Sequence, residues 1–118
     1  MTTTEIAKKL VGYCSQGKGI ECQDELFAKN VKSIKAKPMF GPILVEGKAN
    51  VKAKALKFID GVQEFHGMAV SDPIVAGDAF AVTMSFDFTP KGGQRMKLEE
   101  VCAYQVEDGK ITLEQFFY

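Results

Sequence analysis

The feature that most constrains this fold is a two-residue alternation that recurs between residues 70 and 118. In the segment 80–88 every even position is large and apolar, and every odd position is small or polar. The segments 98–106 and 111–118 repeat the alternation more loosely, and Asp108-Gly109 between them favours the positive φ angles of a type I′ turn. Because successive side chains on a strand point to opposite faces, the pattern predicts antiparallel strands with one apolar face.

The first sixty residues predict the helices that cover this face. Thr2-x-x-Glu5 matches a capping box at a helix start, and Gly17 and Gly19 end that helix. Its apolar face is formed by Ile6, Ala7, Leu10, Val11 and Cys14, with Tyr13 at the border. A short second helix is predicted around residues 23–29.

A third helix is predicted over residues 48–61. The apolar positions that follow the helical period are Val51, Ala55, Phe58, Ile59 and Val62. The positions assigned to its solvated side are Lys48, Lys52, Lys54 and Lys57. A strand is predicted at 31–37, and the sheet resumes at 64–70. Helices beside an antiparallel sheet make a single α+β domain over residues 1–118.

The segment between the first strand and the third helix, residues 38–47, combines two prolines and two glycines with apolar side chains. Those side chains are Met39, Phe40, Ile43 and Leu44. Apolar loops of this kind frequently fold over a cavity. We expect the segment to border a cavity mouth and to become ordered when a ligand binds.

Composition narrows the functional class. The net charge is zero, although residues 1–60 carry eleven lysines against six acids; those lysines fit solvated helix faces better than an anionic partner. Three scattered cysteines and one histidine give no ligand spacing for a metal and no disulfide framework, so a reducing, cytoplasmic location is expected. We expect neither a signal peptide nor a membrane span, and the sequence shows no phosphate loop or basic-aromatic surface for nucleic acid. No cofactor is expected.

Three stretches in this order resemble the nuclear transport factor 2-like superfamily and, within it, the SnoaL-like domains. They are residues 47–51 at the start of the third helix, residues 75–80, and residues 104–111 running into 114–118. The resemblance covers essentially the whole chain. It implies a cone, in which a curved sheet wraps around three helices and leaves a pocket at the open end. The superfamily includes ketosteroid isomerases, polyketide cyclases and epoxide hydrolases, and it also includes members without catalytic activity, so the fold alone does not assign a function.

The acid/base residues of these enzymes are not retained at the matching positions. The general-base aspartate of the isomerases corresponds to Lys37 and their oxyanion-hole aspartic acid to Cys102. Their first-helix tyrosine corresponds to Leu10, with Tyr13 about one turn away. The inward histidine and aspartate of the cyclases correspond to Glu114 and Phe116, and Phe116 also takes the place of the hydrolases' aspartate.

The same alignment on the Asp108-Gly109 hairpin assigns inward positions on the strands. Even positions from 80 to 88, from 98 to 106 and from 112 to 118 are predicted to face the pocket, and His66 shares the parity of the inward Met68 and Val70. The candidate catalytic residues are His66, Glu100 and Glu114. The candidate ligand-binding residues are Tyr13, Phe40, Met84, Phe86, Cys102, Tyr104, Phe116 and Tyr118.

Two functions remain open from the sequence. In the first, a small hydrophobic molecule undergoes acid/base chemistry, because a carboxylate near apolar walls has a raised pKa and can exchange protons. In the second, the same cone is a non-catalytic binding or dimerisation module. Each candidate also has a structural explanation: the two glutamates could pair with His66, Arg95 or Lys97, or lie at the wet rim of the cone, and a tyrosine often packs its ring and hydrogen-bonds its tip.

A homodimer is predicted through the outer face of the sheet. Odd positions on the three strands place mostly small or apolar side chains there, with Asp87 and Glu99 as the charged exceptions. Val101, Leu113 and Phe117 would form an exposed apolar patch, which a solvated sheet face normally avoids. A two-fold axis would cover both copies of this patch with one contact.

Overall fold

The computed structural model describes residues 1–38 and 41–118. In these residues the helices are α1 (Thr3–Ser15), α2 (Gly19–Leu26) and α3 (Lys48–Asp60). The strands are β1 (Phe27–Ile34), β2 (Leu44–Glu46), β3 (Val62–Val70), β4 (Ile74–Ala76), β5 (Ala79–Pro90), β6 (Met96–Glu107) and β7 (Lys110–Phe117). The predicted α+β class is confirmed: three helices accompany a curved, open sheet. The predictions for Met39 and Phe40 lie outside the described residues.

The sheet is mixed rather than wholly antiparallel. Its strand order is β2-β1-β7-β6-β5-β3, with β4 attached to β5. Strands β5, β6 and β7 pair antiparallel, as the alternation predicted, whereas β1 pairs parallel to β7. This parallel pairing joins the first strand to the last strand of the chain, and no local turn signals such a contact. Strand β1 starts at Phe27, earlier than predicted, and part of the predicted loop forms β2.

The N-terminal helix follows the prediction closely. The Thr2 hydroxyl accepts a hydrogen bond from the Glu5 amide at 3.2 Å, and the Glu5 carboxylate accepts one from the Thr2 amide at 3.0 Å. Two of the four orphan amides at the helix start are therefore satisfied, as a capping box requires. Its face of Ile6, Ala7 and Leu10 is buried in the core together with side chains of β1, β5, β6 and β7.

The apolar face of α3 is rotated from the predicted one. Val51 is fully buried, but Ile59 is 56% exposed. Lys54, which was assigned to the solvated side, is partly buried instead. The reason is that α3 packs against α2 as well as against the β1 and β2 edge of the sheet, so the buried stripe follows residues 51, 54, 55 and 58.

The final hairpin has the predicted turn and one unpredicted irregularity. Asp108 and Gly109 have φ angles of 50° and 75°, as a type I′ turn requires. The register shifts between Gln105 and Val106, because a bulge inserts an extra residue in β7. Ile111 is therefore fully buried, and the predicted inward position of Thr112 is wrong.

Among the described helices, none is both long and apolar enough to cross a membrane.

Candidate functional site

A cavity of about 220 Å³ lies between the three helices and the sheet. Its apolar wall comes from α1, α2, α3 and the inward side chains of β5, β6 and β7. The lining residues that the following argument uses are Lys54, Met84, Phe86, Glu100, Glu114 and Phe116. An apolar cavity of about 150 Å³ can hold benzene, so this cavity has room for one aromatic ring with a short substituent.

A chain of two hydrogen bonds crosses one wall of the cavity. The Lys54 Nζ donates to the Ser33 Oγ at 2.6 Å, and that hydroxyl donates to the Glu114 Oε1 at 2.7 Å. Ser33 is fully buried and Glu114 is 6% exposed, whereas Lys54 and Glu114 both line the cavity. The three side chains come from α3, β1 and β7, so the parallel pairing of β1 with β7 assembles them.

Burial shifts the pKa values of the groups at both ends of this hydrogen-bond chain. Desolvation raises the pKa of the Glu114 carboxyl, and the Lys54 charge and the Ser33 hydrogen bond oppose that rise. Desolvation also lowers the pKa of the Lys54 amine, against the attraction of Glu114 and Glu100. The Lys54 ammonium also lies 5.5 Å from the centre of the Phe116 ring, within cation–π distance.

Glu100 is the second carboxylate of the cavity. Burial raises its pKa to about 7; the neighbouring Glu114 adds to this rise, while a hydrogen bond with Cys102 and the charge of Lys54 oppose it. A carboxyl group with a pKa near neutrality can both take and give a proton under cellular conditions. The structure therefore places the two predicted carboxylates together on the wall of one cavity.

Most of the predicted ligand-contacting residues also line this cavity. They are Met84, Phe86, Tyr104, Phe116 and Tyr118. The Tyr104 ring stacks on Phe80 at 4.9 Å between centroids, and burial raises the pKa of its hydroxyl, which keeps it protonated as a hydrogen-bond donor. The Tyr118 hydroxyl donates to the backbone oxygen of Lys37 at 3.2 Å. Cys102 is fully buried beside Glu100 without lining the cavity.

His66 is separated from these groups. The register of β3 against β5 shifts between Phe65 and Gly67, so a bulge disturbs the parity used to predict an inward histidine. The His66 Nε2 lies 2.8 Å from the Thr89 hydroxyl, and its Nδ1 lies 3.3 Å from the Glu64 carboxylate. His66 does not line the cavity, so the predicted grouping of this histidine with Glu100 and Glu114 is wrong.

Tyr13 is also turned away from the cavity. Its hydroxyl donates to the Glu25 carboxylate, which in turn pairs with Lys9. This interaction joins α1 to α2 and leaves the side chain out of the cavity wall.

Lys54, Ser33 and Gln23 are among the polar groups that the sequence interpretation missed. Lys54 lies three residues after the buried Val51 and four before Phe58, so helical spacing alone could have placed it on the inner face. Ser33 shares the strand parity of the buried Val31. Gln23 of α2 lines the cavity, and its buried Oε1 has no hydrogen-bond partner among the described residues.

The comparison with known proteins agrees with this architecture. A model of the SnoaL-like domain family matches residues 1–118. No curated protein sequence is significantly similar to the chain. A proposed SnoaL-like polyketide cyclase from Mesorhizobium loti is 38% identical over 100% of both chains, with a TM-score of 0.92.

Two more distant structures share the fold. A Mycobacterium tuberculosis protein in complex with estradiol-17β-hemisuccinate is 20% identical, with a TM-score of 0.76 over 100% of this chain and 95% of its own. TerC, co-crystallised with polyporic acid, is 20% identical, with a TM-score of 0.77 over 99% of this chain and 92% of its own.

Proposed function

Because the chain belongs to the family of SnoaL-like domains, we propose that it binds a small, largely apolar molecule in the cavity and that Glu100 exchanges a proton with it. The observation that carries this proposal is the position of Glu100. Its carboxyl lines an apolar cavity, and burial brings its pKa to about 7. Proton transfer by a positioned side chain is most efficient when the pKa lies near the working pH.

The rest of the cavity supports the same reaction class. Tyr104 and Lys54 are donors on the wall, and a donor near a carbonyl oxygen stabilises the negative charge that develops when a neighbouring carbon loses its proton. Gln23 Oε1 is a buried acceptor that a ligand hydroxyl or amide could satisfy. The ligand class that fits is a small aromatic ketone or enol, with an apolar ring against Phe86 and Phe116. The small molecules held by TerC and the mycobacterial protein support a cavity of this kind in the fold.

The experiment measures hydrogen–deuterium exchange at the α-carbon of 4-ethylacetophenone in heavy water. We expect the protein to accelerate exchange, and Glu100→Gln to reduce the rate by about 10²–10⁴-fold. Glu99→Gln is the matched control, because that neighbouring carboxylate is 72% exposed and takes no part in the cavity wall.

The non-catalytic alternative gives a different outcome of the same experiment. If the ketone shifts the methyl resonance of Met84 without accelerated exchange, the cone is a binding module. If it neither binds nor exchanges, the proposal for this ligand class fails.

We also propose that the protein is a homodimer through the outer face of the sheet. Val101 and Phe117 are opposed across β6 and β7, and they are 43% and 50% exposed. Asp87 on the same face is neutralised by Arg95, through two hydrogen bonds of 2.8 and 2.9 Å. Covering the patch would contribute roughly 1.5–3 kcal/mol for each large side chain that becomes fully buried.

The residues described on either side of positions 39 and 40 support a place near the cavity for the segment 38–47. Lys35 lines the cavity, and its backbone amide donates to the Ile43 oxygen at 2.8 Å. We propose that this segment borders the mouth and orders on ligand binding.

The free thiols of Cys14, Cys22 and Cys102 support a reducing location such as the cytoplasm.

A further inference from the structure

We infer that Lys54 is a nucleophile that captures an aldehyde or ketone as an imine inside the cavity. This inference rests on the proposed small-molecule site and names one substrate class for it, carbonyl compounds of about one aromatic ring. The geometry that carries it is the Lys54–Ser33–Glu114 chain, together with the cavity that the amine and both carboxylates line.

The hydrogen-bond chain gives the amine a route for losing its proton. The Lys54 ammonium donates to Ser33 at 2.6 Å, and Ser33 donates to Glu114 at 2.7 Å. If the serine passes its proton to the carboxylate and takes one from the lysine, the result is a neutral amine beside a neutral carboxylic acid. Burial favours this neutral pair, since it lowers the pKa of Lys54 and raises that of Glu114.

The charges around Lys54 favour a neutral carbonyl over an anionic ligand. Glu114 and Glu100 both act on the amine from the sheet, and Lys35 is the second lysine on the cavity wall. A ligand carboxylate would have to share Lys54 with Glu114 and lie near Glu100, where like charges repel. A carbonyl compound brings no charge, and the rings of Phe86 and Phe116 give it an apolar surface.

The reaction balances with groups already in the cavity. The neutral Lys54 nitrogen attacks the carbonyl carbon, and the carbonyl oxygen takes a proton from Glu100. The Glu100 carboxylate then takes a proton from the nitrogen, which gives a neutral carbinolamine. Glu100 returns that proton to the carbinolamine oxygen, which leaves as water while the nitrogen lone pair closes the C=N bond, and the remaining N–H proton goes back to Glu100. One amine and one carbonyl give one imine and one water, without an oxidant or a reductant.

The experiment incubates the full chain with 4-ethylbenzaldehyde and sodium cyanoborohydride, which reduces the imine and spares the aldehyde, and it maps the reduced adduct by peptide mass spectrometry. We expect one adduct on Lys54, formed at least about tenfold faster than on Lys57, because the cavity holds the aldehyde against the Lys54 amine and raises its effective concentration there. Lys57 is the matched control, an exposed lysine on the same helix. The variant Lys54→Arg should lose the adduct, whereas Lys35→Arg should keep it.

A non-covalent probe separates this inference from the proposed function. The alcohol 4-ethylbenzyl alcohol has the same ring but cannot form an imine. If the alcohol perturbs Met84 and the aldehyde modifies Lys35 or all lysines equally, the covalent role is overturned and the binding site stands. If the alcohol does not bind, the proposed site for this class of ligand fails as well. Glu114→Gln provides a second variant should Lys54→Arg not fold, and it should slow the adduct on Lys54.

Discussion

The perturbed pKa of Glu100 predicts a specific pH dependence of stability. In the folded protein this pKa is raised from 4.5 to about 7, mainly by burial. Below pH 4.5 the carboxyl is protonated in both states. Between about pH 4.5 and 7 the unfolded chain releases the proton and the folded chain retains it, so the free energy of unfolding falls as the pH rises.

The size of this loss in the free energy of unfolding follows from the pKa shift of Glu100. Each pKa unit corresponds to about 1.36 kcal/mol, so the contribution of Glu100 that is present at pH 4 and absent at pH 8 is roughly 3 kcal/mol. Glu100→Gln is neutral at every pH and lacks this term. We therefore expect the stability of the variant, relative to the wild type, to rise by roughly 3 kcal/mol between pH 4 and pH 8.

Urea denaturation at a series of pH values measures this difference. Asp60→Asn is the control, because this side chain is 90% exposed at the end of α3 and lies outside the proposed dimer face. The pH dependence of its free energy of unfolding should run parallel to that of the wild type. Direct titration of the Glu100 carboxyl carbon by NMR should give a midpoint near 7. A Glu100→Gln curve parallel to the wild type, or a midpoint near 4.5, would refute the assignment of Glu100 as the proton-transfer group.

Three further predictions test the surface and the local structure. Val101→Lys combined with Phe117→Lys should convert a homodimer into monomers in sedimentation at micromolar concentration, and a dimer that survives this change uses another surface. Thr2→Ala should lower the free energy of unfolding by about 1 kcal/mol in urea, because it removes the cap of α1; Thr3→Ala, inside the helix, should have a smaller effect. Gly109→Ala should cost about 1–2 kcal/mol, since φ there is 75°. Equal stability of the alanine variant would mean that the turn can relax.

The elements that were predictable from the sequence are those specified by local signals. The alternation at 80–88 gave β5, Asp108-Gly109 gave the last turn, and Thr2-x-x-Glu5 gave the start of α1. Each depends on residues a few positions apart, so periodicity and turn chemistry are sufficient. The parallel pairing of β1 with β7 depends on residues about eighty positions apart and leaves no such signal.

Only part of the candidate site could be predicted from the sequence, again because local signals cover only part of it. Strand parity found Glu100 and Glu114, because β6 and β7 are regular around both. Parity failed at His66 and Thr112, where bulges shift the register by one residue. Lys54 was missed because a lysine on a helix usually faces water, although its spacing from Val51 favoured the inner face.

Lys54→Met and Glu100→Gln should change the stability of the protein in opposite directions, and this separates a structural group from a functional one. Glu114 belongs to a satisfied hydrogen-bond chain with Ser33 and Lys54, so Lys54→Met leaves buried polar groups without a partner and should lower the free energy of unfolding by about 1–3 kcal/mol. Glu100 lies outside that chain, and its burial is only partly offset by Cys102 and Lys54.

Glu100→Gln should therefore stabilise the protein at pH 8, whereas Lys54→Met should weaken it, and urea denaturation of both variants at that pH decides the matter. A buried carboxylate that lowers the stability of the fold is not there for a structural reason. Proton exchange with a ligand is a functional reason for its position. If Glu100→Gln destabilises the protein as Lys54→Met does, then Glu100 is part of the same structural network, and its assignment as the proton-transfer group loses its support.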